Sequence, residues 1–350
     1  MNAKQLKSTA LAVFSLALLM SCENPMRLET KVHEDGSLDK TILFEKIHSE
    51  GVTKNIFGVN AKSGWAVESN PIEAKPDTGK SKNKDYRVSF RKTFPSVTEL
   101  NAELNADADS LFHVKASFEK KFRWFYTYIR YSETFRPLNR FKAVSPGDFF
   151  NQEDNAFIDR LPAEGKKISK ADSLYLQLLN EKIYDRFATM GIFKEEFEIL
   201  EEVIRRNGID KKWIDTLYKK SEFVYNQIDK MKGDKNFAER MADTLGIPLR
   251  RPQSTNDFKE RSKDLKQRID FMSFARDGKY VNVIEMPWTV SNSNADSVAG
   301  NQLYWRPLVT RFAYRDYEMF AESRKLNLWA CLVSLVVIAI TGYLFLKAKK

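Results

Sequence analysis

Apolar and polar positions alternate with period two near the start of the chain and again towards its end, with a long stretch of helical spacing between them. Arg27 to His33 and Lys40 to Lys46 read as two strands around the polar stretch Glu34 to Asp39. The Asp35-Gly36 pair there is a strong hairpin signal, because glycine takes a positive φ without steric cost. Residues 70–84 are rich in Lys, Pro, Ser, Gly and Asn and read as an exposed loop. Tyr86, Val88 and Phe90 then alternate onto one strand face. Ser96 and Glu99 have the spacing of a capping box, which predicts a short helix to about Leu104. From Phe112 to Phe135 the chain is aromatic and strand-like. Phe122, Trp124, Tyr126 and Tyr128 fall on one side; Phe125, Thr127, Ile129 and Tyr131 take the other.

Near residue 165 the period changes. Leu176, Leu179, Ile183, Phe187 and Met190 keep helical spacing, and Gly191 is expected to stop that helix. Phe193, Phe197, Leu200 and Ile204 predict a second helix ending at Gly208; Trp213, Leu217 and Val224 predict a third, ending at Gly233. Further helices are expected from about Asp234 to Leu245 and from about Ser254 to Ala275. After Asp277-Gly278 the strand pattern returns in Tyr280 to Met286, in Gln302 to Trp305 and in Val309 to Met319, with a polar turn region from Asn292 to Gly300. The fold class this order predicts is α+β: a β-sheet-rich extracytoplasmic domain (22–160 and 277–325) with a helical insertion (161–276), followed by one C-terminal transmembrane helix (326–346). One interrupted domain is preferred to two independent ones, because the aromatic strand surface needs covering.

The two ends carry the clearest signals. Lys4 and Lys7 precede the short apolar run Thr9 to Met20, the pattern of a signal peptide over residues 1–21. Leu19, Met20, Ser21 and Cys22 resemble the bacterial lipobox, which implies diacylglycerol and acyl chains on Cys22 after cleavage. At the other end, Leu328 to Leu346 is uncharged and rises about 27 Å as a helix, close to the roughly 30 Å of one hydrocarbon core. Trp329 and Tyr343 sit near its ends, where amphipathic rings favour the interface, and residues 347–350 form a short cytoplasmic tail. Outer membranes carry barrels rather than apolar spanning helices. The expected location is therefore the inner membrane, single-pass, with a periplasmic domain lipid-anchored at its N-terminus.

Composition adds little to this picture. Apolar residues at 43% and charged residues at 30% are ordinary for a globular chain, and 25 Phe, 13 Tyr and 6 Trp make it aromatic. The formal charge of +10 reads first as a solvated Lys/Arg-rich surface, with an anionic partner as the alternative. For an exported domain that is a membrane surface rather than nucleic acid. The two cysteines, Cys22 and Cys331, both lie in or beside membrane segments, so no disulfide within the exported domain is expected.

Three features together resemble the LppM-like membrane lipoproteins of the DUF3153 type. They are the lipobox followed by a hairpin with Glu34, Asp35, Gly36 and Ser37; the stretch Val283 to Pro287 with Ser293 to Asp296, Gly300, Asn301 and Trp305; and a membrane helix soon after. Trp288 stands where that pattern has glycine, and the helical block is an addition. The resemblance implies a compact domain beside the membrane with a lipid-contacting role. It brings no catalytic residues.

Candidate chemistry is sparse. His33, His48 and His113 have no metal-ligand spacing, and no nucleophile elbow, phosphate loop or dinucleotide fingerprint occurs. Asp35, Asp39 and Glu45 read as solvated hairpin carboxylates, and Glu195, Glu196, Glu198, Glu201 and Glu202 as a solvated acidic helix face. The basic pairs Arg205-Arg206, Lys211-Lys212 and Arg250-Arg251 read as helix-end cations. The aromatic band from Phe118 to Phe135 reads first as core and alternatively as a contact surface; the candidate ligand or membrane contacts are Trp124, Tyr126, Tyr128, Arg123, Arg130, Arg27, Arg324 and Lys325. With both ends tethered, the first and last strands are expected to be neighbours, with Arg27, Arg324 and Lys325 at head-group level. No metal or cofactor is expected. The partners expected are membrane lipid, covalent at Cys22 and as anionic head groups, and an envelope protein. A non-enzymatic binding or scaffolding protein is the leading reading; an envelope enzyme of hydrolase type with an unrecognised carboxylate site is the alternative.

Overall fold

The structure is a computed structural model and describes residues 24–48, 55–72, 85–105, 112–226, 237–249, 253–276 and 278–349. The signal peptide, Cys22, residues 73–84 of the expected loop, Gly233, Asp234, the Arg250-Arg251 pair and Asp277 lie outside the described residues. In chain order the elements begin with β1 (Asn24–Val32), β2 (Leu38–His48), β3 (Ala66–Pro71), β4 (Asp85–Phe94), α1 (Val97–Leu104), β5 (Val114–Phe122) and β6 (Tyr126–Phe135). Next come α2 (Gln152–Arg160), α3 (Lys170–Glu181), a π-helical stretch (Lys182–Ala188), α4 (Thr189–Arg206), α5 (Lys212–Lys219), α6 (Ser221–Tyr225), α7 (Phe237–Leu245) and α8 (Gln253–Arg276). The chain closes with β7 (Gly278–Glu285), β8 (Thr289–Ser293), β9 (Ser297–Ala299), β10 (Gln302–Trp305), β11 (Tyr317–Leu326) and α9 (Leu328–Ala348). The mixture of helices and sheets with a terminal apolar helix is the α+β class expected. Two compact units divide the chain at Arg136, Arg276, Val309 and Asp316. Residues 137–160 thus group with the helices rather than with the strands.

In the β-rich unit the described strands form a seven-stranded sheet, β3-β4-β2-β1-β7-β10-β9, and a four-stranded sheet, β5-β6-β11-β8. The β1–β2 hairpin forms as its alternation requires, with Gly36 at φ 93° in the turn. A Cβ on Gly36 would come within 3.1 Å of the Phe118 ring, so close approach and backbone angle both call for glycine there. β1 pairs in parallel with β7, from Asn24 opposite Gly278 to Lys31 opposite Glu285. The inner faces meet in a shared core: Phe112 and Phe135 lie 5.5 and 6.5 Å from Tyr280, and Met26, Leu28, Ile42, Phe90, Ile129 and Met319 are all fully buried. The Ser96 hydroxyl caps α1 by accepting from the Glu99 N–H. Asn101 of α1 then bonds both backbone groups of Ala116, which blunts the free edge of β5.

Two expectations for this unit are corrected. Phe112 to Phe135 is not one strand; the chain turns between Phe122 and Tyr126, and β5 and β6 pair antiparallel. The last strand does not neighbour the first: β1 lies between β2 and β7, whereas β11 lies between β6 and β8 in the other sheet. The reason is side-chain chemistry on the inward faces. Lys40 of β2 reaches across to Glu133 of β6, Nζ to Oε1 2.7 Å, with both side chains fully buried. Thr30 donates to the same carboxylate oxygen at 2.5 Å and Tyr131 at 2.9 Å, and Asn282 approaches the other oxygen at 3.3 Å. Burial pushes the Glu133 carboxyl up, but Lys40 and the donated bonds outweigh it and hold it below the ordinary carboxylate range. A buried pair of this kind defines which faces oppose each other, since any other pairing strands two charges in the core.

The helical unit has its own core. Phe193, Phe197, Leu200, Val203 and Ile204 of α4 pack with Ile214, Leu217, Val224, Met241 and Phe258. Gly208, at φ 62°, ends α4 as expected. Gly191 does not stop a helix: it lies inside α4, and the Phe141 ring rests on it where a Cβ would otherwise stand. The glycine serves close packing rather than termination. The expected strand Val309 to Met319 is also revised. A 3-10 turn spans Val309–Phe312, and Tyr314 stacks on Phe150 at 3.6 Å, so residues 310–316 belong to the helical core and β11 starts only at Tyr317.

Candidate membrane-contact site

β11 leads straight into α9, with one residue, Asn327, between them. Of the α9 side chains only Ala330 is fully buried, while Leu332, Leu335, Ile338, Phe345 and Leu346 stand 60% or more exposed (64%, 62%, 66%, 66% and 68%). The turn of the β5–β6 hairpin lies against the first two turns of this helix. Trp124 Nε1 donates to Ser334 Oγ at 2.9 Å, the Phe122 ring stacks on Trp329 at 6.1 Å, and Trp124 meets Trp329 edge-on at 5.5 Å. Asn327, Ala330, Cys331 and Ser334 are the covered positions, one helix face at i, i+3, i+4 and i+7 spacing.

The turn is closed by Arg123 N–H to Tyr126 O at 2.7 Å and Tyr126 N–H to Arg123 O at 3.2 Å, leaving Trp124 and Phe125 as a two-residue loop. Such loops favour glycine or asparagine at positive φ, yet neither residue here has a positive φ. Asn327 supplies what the turn residues lack. Its Nδ2 donates to Arg123 O at 2.9 Å and Trp124 O at 3.2 Å, its backbone N–H donates to Phe125 O at 2.8 Å, and its Oδ1 accepts from Thr127 Oγ1 at 2.9 Å. Sequence reading missed this turn because its signal is an asparagine two hundred residues away.

Cations surround the junction. The Arg324 guanidinium lies 4.9 Å from the Tyr126 ring centre. Lys120 and Lys325 each lie 5.7 Å from the Trp288 ring, whose Nε1 donates to Glu34 Oε1 at 2.6 Å. The Trp288 bond first, and then Lys325 at 3.2 Å, hold the Glu34 carboxyl below its ordinary value. Trp288 thus ties the β1–β2 turn to the end of β11, a contact glycine could not make.

The structure therefore splits the residues singled out in the sequence. Arg123, Trp124, Tyr126, Arg324 and Lys325 converge at the helix junction. Tyr128 is half-buried beside Tyr126, ring centres 6.2 Å apart, while Arg130 is engaged higher in the sheet with the Phe320 ring at 4.1 Å and Glu318 at 3.8 Å. Arg27 is in the other sheet, opposite Leu43 and Val281, and its guanidinium is held by Glu29. It does not join Arg324 and Lys325. The reason is strand direction: β1 ends, rather than begins, beside Lys325, which puts Arg27 five residues up the strand, about 17 Å away.

The remaining candidates sort differently. Among the described residues no group of three or more His, Cys, Asp or Glu side chains is placed to hold a metal ion. His33 Nε2 lies 2.8 Å from Asp39 Oδ2, and Asp39 also accepts from Thr93. Asp35 accepts from Ser37, and Glu45 pairs with Arg87. The acidic face of α4 is not uniformly solvated. Glu195 is buried against Arg268 and accepts from the Lys142 N–H at 2.8 Å. Glu196 is buried too, and burial pushes its carboxyl up to about 7. Arg205 and Arg206 pair with Glu201 and Glu202, and Lys212 lies near Asp210.

No protein-family model matches the chain, and no curated protein matches it. Among solved structures, the NMR structure of the folded domain of the Mycobacterium tuberculosis LppM protein aligns over 88% of this chain and 95% of that one, at 8% identity and a TM-score of 0.28. At that score the likeness carries no argument.

Proposed function

We propose that this chain is a cell-envelope lipoprotein of the inner membrane, held by acyl chains on Cys22 and by α9. We further propose that its extracytoplasmic β-rich unit has a non-enzymatic binding or scaffolding role towards membrane lipid or an envelope protein partner. One observation carries the reading. α9 runs 21 residues, and its most apolar 18-residue stretch has a mean hydropathy of 2.3 with only 6% of it buried in the protein, so its apolar sides need a second apolar phase. The signal-peptide pattern and the lipobox at Cys22 support the orientation, with β11 outside and Lys347 and Lys349 inside.

Two anchors on one bilayer constrain the attitude of the β-rich unit. β1 starts at the strand end opposite the one where β11 passes into α9. Asn24 is eight residues from Val32, about 26 Å along the strand, and Cys22 lies two residues before it, within about 7 Å. If both anchors enter the same membrane, these strands recline along its surface, and the bend at Asn327 (φ −86°, ψ 83°) accommodates the change of direction. The test is acyl labelling in cells. Labelled palmitate should enter the wild type and not Cys22→Ser, while both stay in the membrane fraction through α9. No label in the wild type refutes the lipid anchor, and release of Cys22→Ser by carbonate washing refutes the helical one.

A further inference from the structure

The β5–β6 turn is bonded not to the end of the membrane helix but well down its side. Ser334, which accepts from the Trp124 indole at 2.9 Å, lies six residues along α9 from Leu328, about 9 Å at the rise of an α-helix. The uncharged run Leu328 to Leu346 is about 27 Å long against roughly 30 Å of hydrocarbon, so there is no spare turn with which to lift Ser334 into water. Wherever α9 crosses, Trp124 goes with Ser334.

We propose that the Phe122–Phe125 turn is a membrane-inserting element, its aromatic rings lodged in the outer leaflet beside α9 and its flanking cations on the phosphates of anionic lipid. The inference rests on the reading that α9 spans the membrane, and three observations bring it to this turn. Phe122, Trp124 and Phe125 are 58%, 47% and 48% exposed, a cluster of large rings of which Phe122 and Trp124 lie against Trp329 of α9. Tryptophan concentrates at the membrane interface, and phenylalanine is used on the apolar faces that surface-bound elements bury in the bilayer. The turn's carbonyls at Arg123, Trp124 and Phe125 all have donors from Asn327. In water that provision is unnecessary; in lipid an unmet carbonyl is costly, so irregular backbone there needs partners within the protein. Finally, Arg123 within the turn and Lys121 and Arg324 beside it are exposed cations, which would meet lipid phosphates if the rings insert.

Depth-dependent quenching tests this. The full chain with Cys22→Ser and Cys331→Ser receives a single fluorescent label at Phe125→Cys, at Phe122→Cys, at Lys115→Cys on the exposed far part of β5, or at Ile338→Cys in α9. Each is reconstituted in phosphatidylcholine–phosphatidylglycerol vesicles with brominated acyl chains. Labels at 125 and 122 should be quenched and blue-shifted beside the label at 338, and far more strongly than the label at 115. Adding phosphatidylglycerol should deepen quenching at 125. If 338 is quenched while 125 and 122 behave like 115, the turn stays in water and the proposal is overturned with the membrane helix intact. If 338 itself is unquenched, the spanning reading fails and the proposal falls with it. Two labelled positions in the turn guard against one of them disturbing the fold.

Discussion

Replacing Asn327 with alanine should loosen the β5–β6 turn from α9 without unfolding either sheet. The side chain makes three hydrogen bonds, two donated to Arg123 O and Trp124 O at 2.9 and 3.2 Å and one accepted from Thr127 at 2.9 Å. Each contributes about 0.5–1.5 kcal/mol net, and a half-exposed site takes the lower part of that range, so the loss is about 2 kcal/mol. The backbone bond from residue 327 to Phe125 O survives the substitution. At 1.4 kcal/mol per tenfold, turn opening should become about 30-fold more frequent. Native-state hydrogen exchange in nanodiscs reads this at the Arg123 and Tyr126 amides, which close the turn. Asn327→Asp should be at least as damaging: it keeps the acceptor for Thr127 but faces two carbonyls with a carboxylate. A rise below about threefold at those amides, or an equal rise across the β1–β2 hairpin, would refute the argument that Asn327 holds this turn.

Three further outcomes follow from buried groups. Glu133→Ala should destabilise the β-rich unit by about 3–5 kcal/mol, because Lys40 is left charged in the core; Lys40→Met with Glu133→Leu should recover most of this in denaturant midpoints, and a double variant no better than the single one would contradict it. Glu196, raised to about 7 from an ordinary 4.5, binds its proton more tightly when folded, so its stability contribution is full below about pH 4.5 and falls as pH rises to 7. Glu196→Gln should therefore raise the melting temperature of the helical unit at pH 8 and leave it unchanged at pH 4, and a uniform shift at both values would count against the titration. Gly191→Ala should cost about 1–3 kcal/mol despite alanine's better helix propensity, since its Cβ would overlap the Phe141 ring; combining it with Phe141→Ala should relieve the overlap but open a cavity, and a stable single variant would show that the ring can move.

Local chemistry made several elements legible from the sequence. The β1–β2 hairpin is announced by Asp35-Gly36 between alternating segments, the helical core by the spacing of Phe193, Phe197, Leu200 and Ile204, and α9 by a run of apolar residues of membrane length. Each is encoded within a few neighbouring residues, where period and propensity act directly. What stayed hidden depends on partners distant in sequence. The turn at Trp124 and Phe125 has no glycine, asparagine or proline to signal it, because Asn327 provides its hydrogen bonds from the far end of the chain. Gly191 looks like a helix stop, and only the Phe141 ring resting on it reveals a packing role. Lys40 and Glu133 look like surface charges and are the centre of the sandwich core. Strand pairing itself belongs here: alternation shows that β1 and β11 are strands, but which sheet each joins depends on inward faces meeting across the core. The sequence by itself therefore determined the kinds of element and their order. Only the tertiary structure decided that Arg27 stands apart from Arg324 and Lys325, and that an aromatic turn is bonded to the apolar C-terminal helix, because those facts are set by contacts between segments whose separation along the chain carries no local signal.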